Sequence, residues 1–408
     1  MAAPYRTIHM PDGRVDMLPP QPMTWQDAVP ATGQMASPLR SVWLSADAGE
    51  AVVWHRQRPL FQGTATTAQS IPNTAYTAIT GLAALVDNYG GANDTSNTGR
   101  YYGPITSTGQ PSAGDWYLVS GYVPMNFTAT TGIVIAGVRV SGGTVQAGGR
   151  VPGSAHAETA MVVDLVQMTG WGTATNSYLG DWVELMAYQS SGAAATTLVS
   201  GKAPALTVRW VCASPAASSS QVVAAPGIPH TWTASDIWTA DATGAGKVPL
   251  NRELRDAVRF MNYPPIARVT VDGSTQTIPS GATWTSLSFT TEYVDTHSGW
   301  APGTPTKYIA PKAGLYYVGG FVNLIEAASP VGYRAIRLLQ NGTTAYAGWS
   351  MVPQTTGTLG SALNAVGLIR MAAGDTIEVQ VQQTQGAALS QYTNVGNAGR
   401  LIAVWMSQ

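Results

Sequence analysis

The sequence has little charge, one cysteine and no long apolar run, and each shortage closes off a class of function. Lys, Arg, Asp and Glu together make up 11% of its 408 residues, where about 25% is ordinary for a soluble domain. The formal net charge is −1. Without clustered Lys and Arg there is no field to gather a phosphate backbone or acidic lipid, so nucleic acid is not an expected partner. The single cysteine, Cys212, excludes an intrachain disulfide and a cysteine-rich metal site, and reads as a small structural hydrophobe after a strand. Nowhere do about 18 apolar residues run together, so no membrane insertion by a helix is expected. The opening segment MAAPYRTIHMPDGRV has neither the basic stretch nor the apolar core of a secretory signal, which predicts synthesis and assembly in the cytoplasm.

Catalytic constellations are thin as well. His9, His55, His156, His230 and His297 stand singly, none beside a cysteine or second histidine at a metal-ligand spacing. Asp295-Thr296-His297 is the closest acid–histidine pair, within a turn-rich stretch. No Gly-x-Ser-x-Gly elbow, Walker loop or dinucleotide fingerprint stands between a strand and a helix. Glu184 and Glu378 recur at equivalent strand positions, and acids distant in sequence can converge for glycoside cleavage. Their alternation with apolar neighbours predicts instead that both face solvent. No catalytic residue, no cofactor and no metal is expected.

What the sequence does hold is one domain written twice. Gln69-Ser70-Ile71-Pro72 recurs as Gln276-Thr277-Ile278-Pro279. Trp116-Tyr117-Leu118-Val119-Ser120-Gly121-Tyr122-Val123 recurs as Leu315-Tyr316-Tyr317-Val318-Gly319-Gly320-Phe321-Val322. Gly180-Asp181-Trp182-Val183-Glu184-Leu185 answers to Gly374-Asp375-Thr376-Ile377-Glu378-Val379, and Leu206 to Val211 answers to Leu401 to Met406. Four landmarks in one order mean a duplicated fold, with a period too long for a solenoid or a propeller blade.

Within the copies the signal is for strands. In Thr376-Ile377-Glu378-Val379-Gln380-Val381-Gln382 apolar and polar residues alternate with period two, and Gly-rich turns such as Ser141-Gly142-Gly143 and Asn341-Gly342 separate such runs. The fold class this predicts is all-β: two tandem antiparallel jelly-roll β-sandwiches, residues 62–212 and 268–408. Between them, residues 213–267 begin with the small-residue stretch Ala213 to Ser220 and contain one amphipathic helix, 250–262. There Leu250, Leu254, Val258 and Met261 share a face opposite Arg252, Glu253, Arg255, Asp256 and Arg259, before Pro264-Pro265 ends it. The helix reads either as a spacer docked on a domain or as an oligomer contact. Residues 1–61 match neither copy and mix prolines (Pro11, Pro19, Pro20, Pro22, Pro30 and Pro38 among them) with Trp25, Trp43 and Trp54. They read as an attachment segment for other proteins of a larger assembly, or as a β-rich cap on the first domain.

The second copy resembles the jelly-roll family of the complement subcomponent q globular head and the tumour necrosis factors. The resemblance is carried by Gln276-Thr277-Ile278-Pro279, by Ala310-Pro311-Lys312-Ala313-Gly314-Leu315-Tyr316-Tyr317-Val318, by Tyr333-Arg334-Ala335-Ile336-Arg337 and by Met371-Ala372-Ala373-Gly374-Asp375-Thr376-Ile377-Glu378-Val379. The first copy departs from it by the extra Asp115, by a Gly-rich insertion near Val145 to Pro152 and by the strand Val138-Arg139-Val140. The resemblance implies a homotrimer, for which Tyr316, Tyr317 and Phe321 are candidate interface residues, with ordinary core as the equal alternative. Leu250-Asn251-Arg252-Glu253-Leu254-Arg255-Asp256 before Pro264-Pro265 is similar to a segment that precedes such domains in virion proteins of phages infecting actinobacteria. That similarity implies a virion protein assembled in the host cytoplasm, a minor tail protein or tail fibre contacting the host envelope. A capsid decoration or head-fibre protein is the structural alternative, and a glycan-degrading enzyme stands third. For a cell-wall glycan partner the candidate contacts are Trp300, Tyr308, Tyr346, Trp349 and Tyr392, whose rings could stack on sugar faces. Each has core or trimer interface as its other reading.

Overall fold

Period-two alternation forms strands throughout, and no helix occurs among the described residues. In this computed structural model those residues are 6–9, 15–18, 60–87, 97–102, 115–126, 132–152, 157–168, 181–200, 202–212, 263–326, 331–346, 351–353, 360–394 and 396–407. The expected helix over 250–262 and the aromatic Trp349 lie outside them. Near the N-terminus a short hairpin pairs Arg6–His9 with Val15–Leu18.

The main strands of the first sandwich are β1 (Leu60–Ala65), β2 (Leu82–Asp87), β3 (Asp115–Asn126), β4 (Ile133–Val140), β5 (Gln146–Pro152), β6 (Ala157–Met168), β7 (Val183–Gln189) and β8 (Ala205–Cys212). Those of the second are β9 (Ile266–Thr270), β10 (Thr291–Asp295), β11 (Gly314–Leu324), β12 (Tyr333–Gln340), β13 (Ser361–Met371), β14 (Thr376–Gln383) and β15 (Arg400–Ser407). One sheet of the first runs β2-β1-β8-β3-β6, and its counterpart in the second runs β10-β9-β15-β11-β13. The facing sheets are built on β4 paired with β7 and on β12 paired with β14. The pairings are antiparallel, and the order is the same twice. The all-β, antiparallel jelly-roll expectation therefore holds, and the duplication extends to strand order.

Each sandwich closes over its own core. Phe61, Tyr117, Val119, Val138, Leu185, Val208 and Trp210 fill the first; Tyr308, Tyr316, Val318, Leu338, Ile377, Val379 and Leu401 fill the second. Large apolar side chains from both sheets interdigitate there, and their removal from water is the main stabilising term.

Polar devices are duplicated along with the core. In the first sandwich Gln189 donates from Nε2 to the carbonyls of Ile71 (3.0 Å) and Ala193 (2.7 Å). In the second, Gln383 donates to Ile278 (3.0 Å) and Ala387 (2.9 Å). Gln69 and Gln276, the first letters of the repeated motif, each clamp a neighbouring segment through both amide atoms. Buried amides such as those of Gln189 and Gln383 must be fully bonded to be tolerated, and with the half-buried Gln69 and Gln276 they pin the same short strands in both copies.

At the start of β11 the Ala-Gly-x-Tyr signature has a steric cause. Gly314 takes φ +155, and a Cβ there would stand 2.2 Å from Trp405 Nε1. The Tyr of the signature, Tyr316, turns into the core and donates to the Lys312 carbonyl at 2.7 Å.

Candidate functional site

The strand alternation that suggested solvent-facing carboxylates is misleading, because a second layer covers the polar face. Glu184 is 2% exposed. It accepts from Arg100 Nε (2.8 Å), Arg139 (2.6 Å) and Trp182 Nε1 (2.6 Å). Burial alone would push its carboxyl up, but the bonds from Arg139, Arg100 and Trp182 outweigh that and hold it below the ordinary carboxylate range. Glu378, its counterpart, is also buried, accepting from Ser286 at 2.5 Å with Lys307 at 3.6 Å. These carboxylates are consumed by structural partners.

The Asp295-Thr296-His297 stretch is likewise a turn clamp. Asp295 accepts from the backbone amides of His297 (3.2 Å) and Trp300 (2.6 Å), while Thr296 ties to Ile266 and Pro264 at the start of the second sandwich. Among the described residues no group of three or more His, Cys, Asp or Glu is placed to hold a metal ion.

Two of the aromatic glycan candidates turn inward. Tyr308 has no exposed surface and packs edge-on to Tyr316 at 6.3 Å. Trp300 is 6% exposed, its ring N–H donating to the Pro305 carbonyl. Tyr308 is held there by its short strand pairing with Ile377, and Trp300 by the isolated bridge that joins it to Tyr308. Tyr346 and Tyr392 remain half-buried, Tyr346 against the core margin. Of the trimer candidates, Tyr316 belongs to the core, where burial pushes its phenol up to about 12. Tyr317 and Phe321 point outward, yet both are covered by the first sandwich or its partners.

That covering is the feature the sequence reading missed. Strands β3, β6 and β8 of the first sandwich pack on β9, β10, β11 and β15 of the second, and β13 joins them where Asn364 Nδ2 donates to the Met161 carbonyl of β6 at 3.4 Å. Trp116, Leu165, Val211 and Cys212 meet Ile266, Val294, Ile402 and Val404, with Tyr317 packed alongside. Cys212 and Ile266 lie in this one cluster. The first sandwich therefore ends, and the second begins, at residues of one cluster.

A charge cluster crosses the seam. Asp164, fully buried, accepts from Arg268 Nε at 2.9 Å and lies 3.6 Å from Arg400 Nε. Arg268 also donates to Gln146 Oε1 at 3.0 Å, and Arg400 to the Ala147 carbonyl at 2.6 Å. The guanidinium of Arg268 lies over the Tyr293 ring, and that of Arg400 over Phe321. Burial works to raise the Asp164 carboxyl, yet Arg268 and Arg400 together pull it below its ordinary value. The two cations do not share equally. Burial works against both, but the close contact with Asp164 leaves Arg268 raised, whereas Arg400, farther from the carboxylate and repelled by Arg268, is lowered. A lone acid inside the apolar run Ala160 to Val166 is the signal by which the sequence could have disclosed this site.

The lock is not duplicated. Gly367 pairs with Val318 as Asp164 pairs with Val119, so the second sandwich lacks the acid. Gln62 and Ala205 hold the places of Arg268 and Arg400, so the first lacks the bases. The contact is therefore directional.

No protein-family model matches the sequence, and no curated protein matches it. Among solved structures the chain is similar to the globular domain of zebrafish complement 1qA protein, at 10% identity over 35% of this chain and 98% of that one, with TM-score 0.26. It is also similar to murine APRIL, at 10% identity over 35% of this chain and 98% of that one, with TM-score 0.27. The jelly-roll assignment stands on strand order and register.

Proposed function

We propose that this chain is a non-catalytic structural protein of a virion, a homotrimeric minor tail protein or tail fibre that contacts the host envelope. The observation that carries the non-catalytic part is the use of buried acids in internal pairs. Asp164, Glu184, Glu326 and Glu378 each hold an arginine or lysine instead of facing a cleft. A hydrolase needs carboxylates poised near a reacting bond, with environments that push their pKa values apart. These four are bonded to structural cations instead.

What supports the virion part is the sequence similarity of the segment before Pro264-Pro265, together with two low-charge sandwiches docked as one unit. Residues 1–61 serve in this reading as the attachment to other virion proteins. Tyr346 and Tyr392 are the described aromatic candidates for a host cell-wall glycan, and three copies would raise weak contacts by avidity.

The test is to label purified virions with an antibody to residues 268–408 and locate it by electron microscopy. Label at the tail supports host attachment. Label over the head makes the protein a decoration or head fibre, and particles without label overturn the virion reading.

A further inference from the structure

The charge cluster at the seam does not balance. Asp164 carries one negative charge, and Arg268 and Arg400 set two positive charges against it. All three are buried, at 0%, 7% and 2% exposure. Asp272 also acts on both arginines through space. It is only partly buried and accepts from the Tyr293 hydroxyl at 2.5 Å, and among the described residues it bonds neither guanidinium.

The two arginines are not equally provided for. Arg268 is held by Asp164 at 2.9 Å and by Gln146 at 3.0 Å. Arg400 keeps Asp164 only at 3.6 Å, while its Nη2 donates to the Ala147 carbonyl at 2.6 Å and its flat face lies over Phe321. Its Nη1 makes no hydrogen bond among the described residues. Burial, opposed by Asp164 and joined by Arg268, holds this guanidinium below its usual value.

Beside Arg400 the seam is not filled. A recess of about 200 Å³, its open mouth included, is walled by Val163 of β6, Gly319 of β11, Val366 of β13 and Ile402 of β15, and the polar side chains in its lining are those of Arg400 and Asn364. No acid lines it, and it has room for about one water-sized body. Gly319 contributes no side chain where the first sandwich has Ser120, since Val366 pairs with Gly319 as Val163 pairs with Ser120. Asn364 gives one amide hydrogen to the Met161 carbonyl at 3.4 Å and has a second to give.

A buried charge is tolerated when it is paired and fully bonded. Water in the recess would bond Arg400 and leave the excess charge, whereas one small anion would answer both needs. The apolar walls offer no donors for the several oxygens of a phosphate or a carboxylate, so a halide fits the recess best. We propose that the recess binds one halide ion, chloride at physiological salt, against Arg400 and the Asn364 amide, and that this ion fastens the two sandwiches together. Val163 comes from the first sandwich and the rest of the lining from the second, so the site exists only while the seam is closed. An ion bound to the closed state alone stabilises it by mass action. This role is independent of the virion reading.

The experiment reads seam opening as the rate at which N-ethylmaleimide alkylates Cys212, which is buried in the seam cluster. Sodium chloride or bromide is raised at constant ionic strength against sodium gluconate, whose bulky anion does not fit the recess, with a free thiol as the control for the reagent. The expected result is alkylation that slows with halide, approaching roughly tenfold for each tenfold rise once the site is mostly filled. Val366→Leu, which crowds the recess and leaves every charge in place, and Arg400→Gln should both lose this dependence. Crystals of the wild-type chain grown in bromide should show an anomalous peak beside Arg400. Alkylation equally fast in halide and gluconate overturns the proposal, and a bromide peak in that case is an adventitious ion only. A halide effect that both variants keep, or that comes with no peak in the recess, places the ion elsewhere and also overturns it. If Arg400→Gln fails to fold, Val366→Leu and the anomalous map decide.

Discussion

The Asp164 carboxylate accepts from Arg268 Nε at 2.9 Å across the boundary between two sandwiches, with neither group exposed beyond 8%. An acid supplied by one copy of a duplicated domain and bases supplied only by the other convert two similar surfaces into one oriented contact. The apolar cluster around Leu165 and Ile402 supplies area, and the charges supply direction.

Replacing Asp164 with Ala should therefore do more than remove one bond. Two guanidinium groups would be left buried without a carboxylate, which costs roughly 3–5 kcal/mol. The expected result is separation of the sandwiches before either melts, seen as two calorimetric transitions. Alkylation of Cys212, buried at the seam, should accelerate by about tenfold or more, since about 1.4 kcal/mol already shifts an opening equilibrium tenfold. Unchanged Cys212 reactivity would show that the seam does not depend on the lock.

The acid limb of stability draws on two buried carboxylates, with the partly exposed Asp375 lowered beside them by Asn341, the Ala372 amide and Gln340. Asp164 and Glu184 both sit below their ordinary values when folded. Groups lowered in this way contribute stability that is fully present above their unfolded pKa, near 4, and lost as pH falls through the folded value. Melting temperature should be nearly flat above about pH 5 and decline below it. The Glu184→Gln variant should show a shallower decline. An equal slope in variant and wild type would remove Glu184 from this role.

Gln189 and Gln383 make the same bonds in the two copies, so Ala at either should have the same effect on its own sandwich. Each loses two carbonyl partners, at about 1 kcal/mol net per bond and more for groups left buried. Hydrogen exchange near Ile71 should rise only for Gln189→Ala, and near Ile278 only for Gln383→Ala. Crossed effects would mean the sandwiches unfold as a single unit.

Much of the fold was legible in the sequence, and the reasons are local. Thr376 to Gln382 alternates because one strand face packs a core, and Gly314 is fixed by a positive φ beside Trp405. Repetition of Gln69 as Gln276 is legible because each clamps the same two neighbours. What was not legible depends on layers that alternation does not count. Glu184 and Glu378 read as solvent-facing because periodicity says which side a residue takes, not whether arginines and a tryptophan lie over it. Trp300 and Tyr308 read as loop rings because a turn-rich sequence does not say which way its aromatics point. Neither sequence copy alone contains the seam, since its acid and its bases lie in different copies.

Trp300 gives the sharpest separation between a binding and a structural role for the aromatic residues. Its ring is buried and its N–H is bonded to Pro305, and its backbone amide anchors on Asp295 at 2.6 Å. Trp300→Ala should cost the second sandwich roughly 3–5 kcal/mol, with a drop in its melting transition. Tyr392→Ala, at a half-buried position, should cost about 1 kcal/mol as a partly exposed truncation. Cell-wall pull-down at a temperature where both variants stay folded then reads binding alone. Loss of retention in Tyr392→Ala with retention kept in Trp300→Ala would place the glycan on the exposed loop edge. The reverse pattern would put Trp300 in contact with ligand despite its burial, and would require the turn from Asp295 to Pro305 to open on binding.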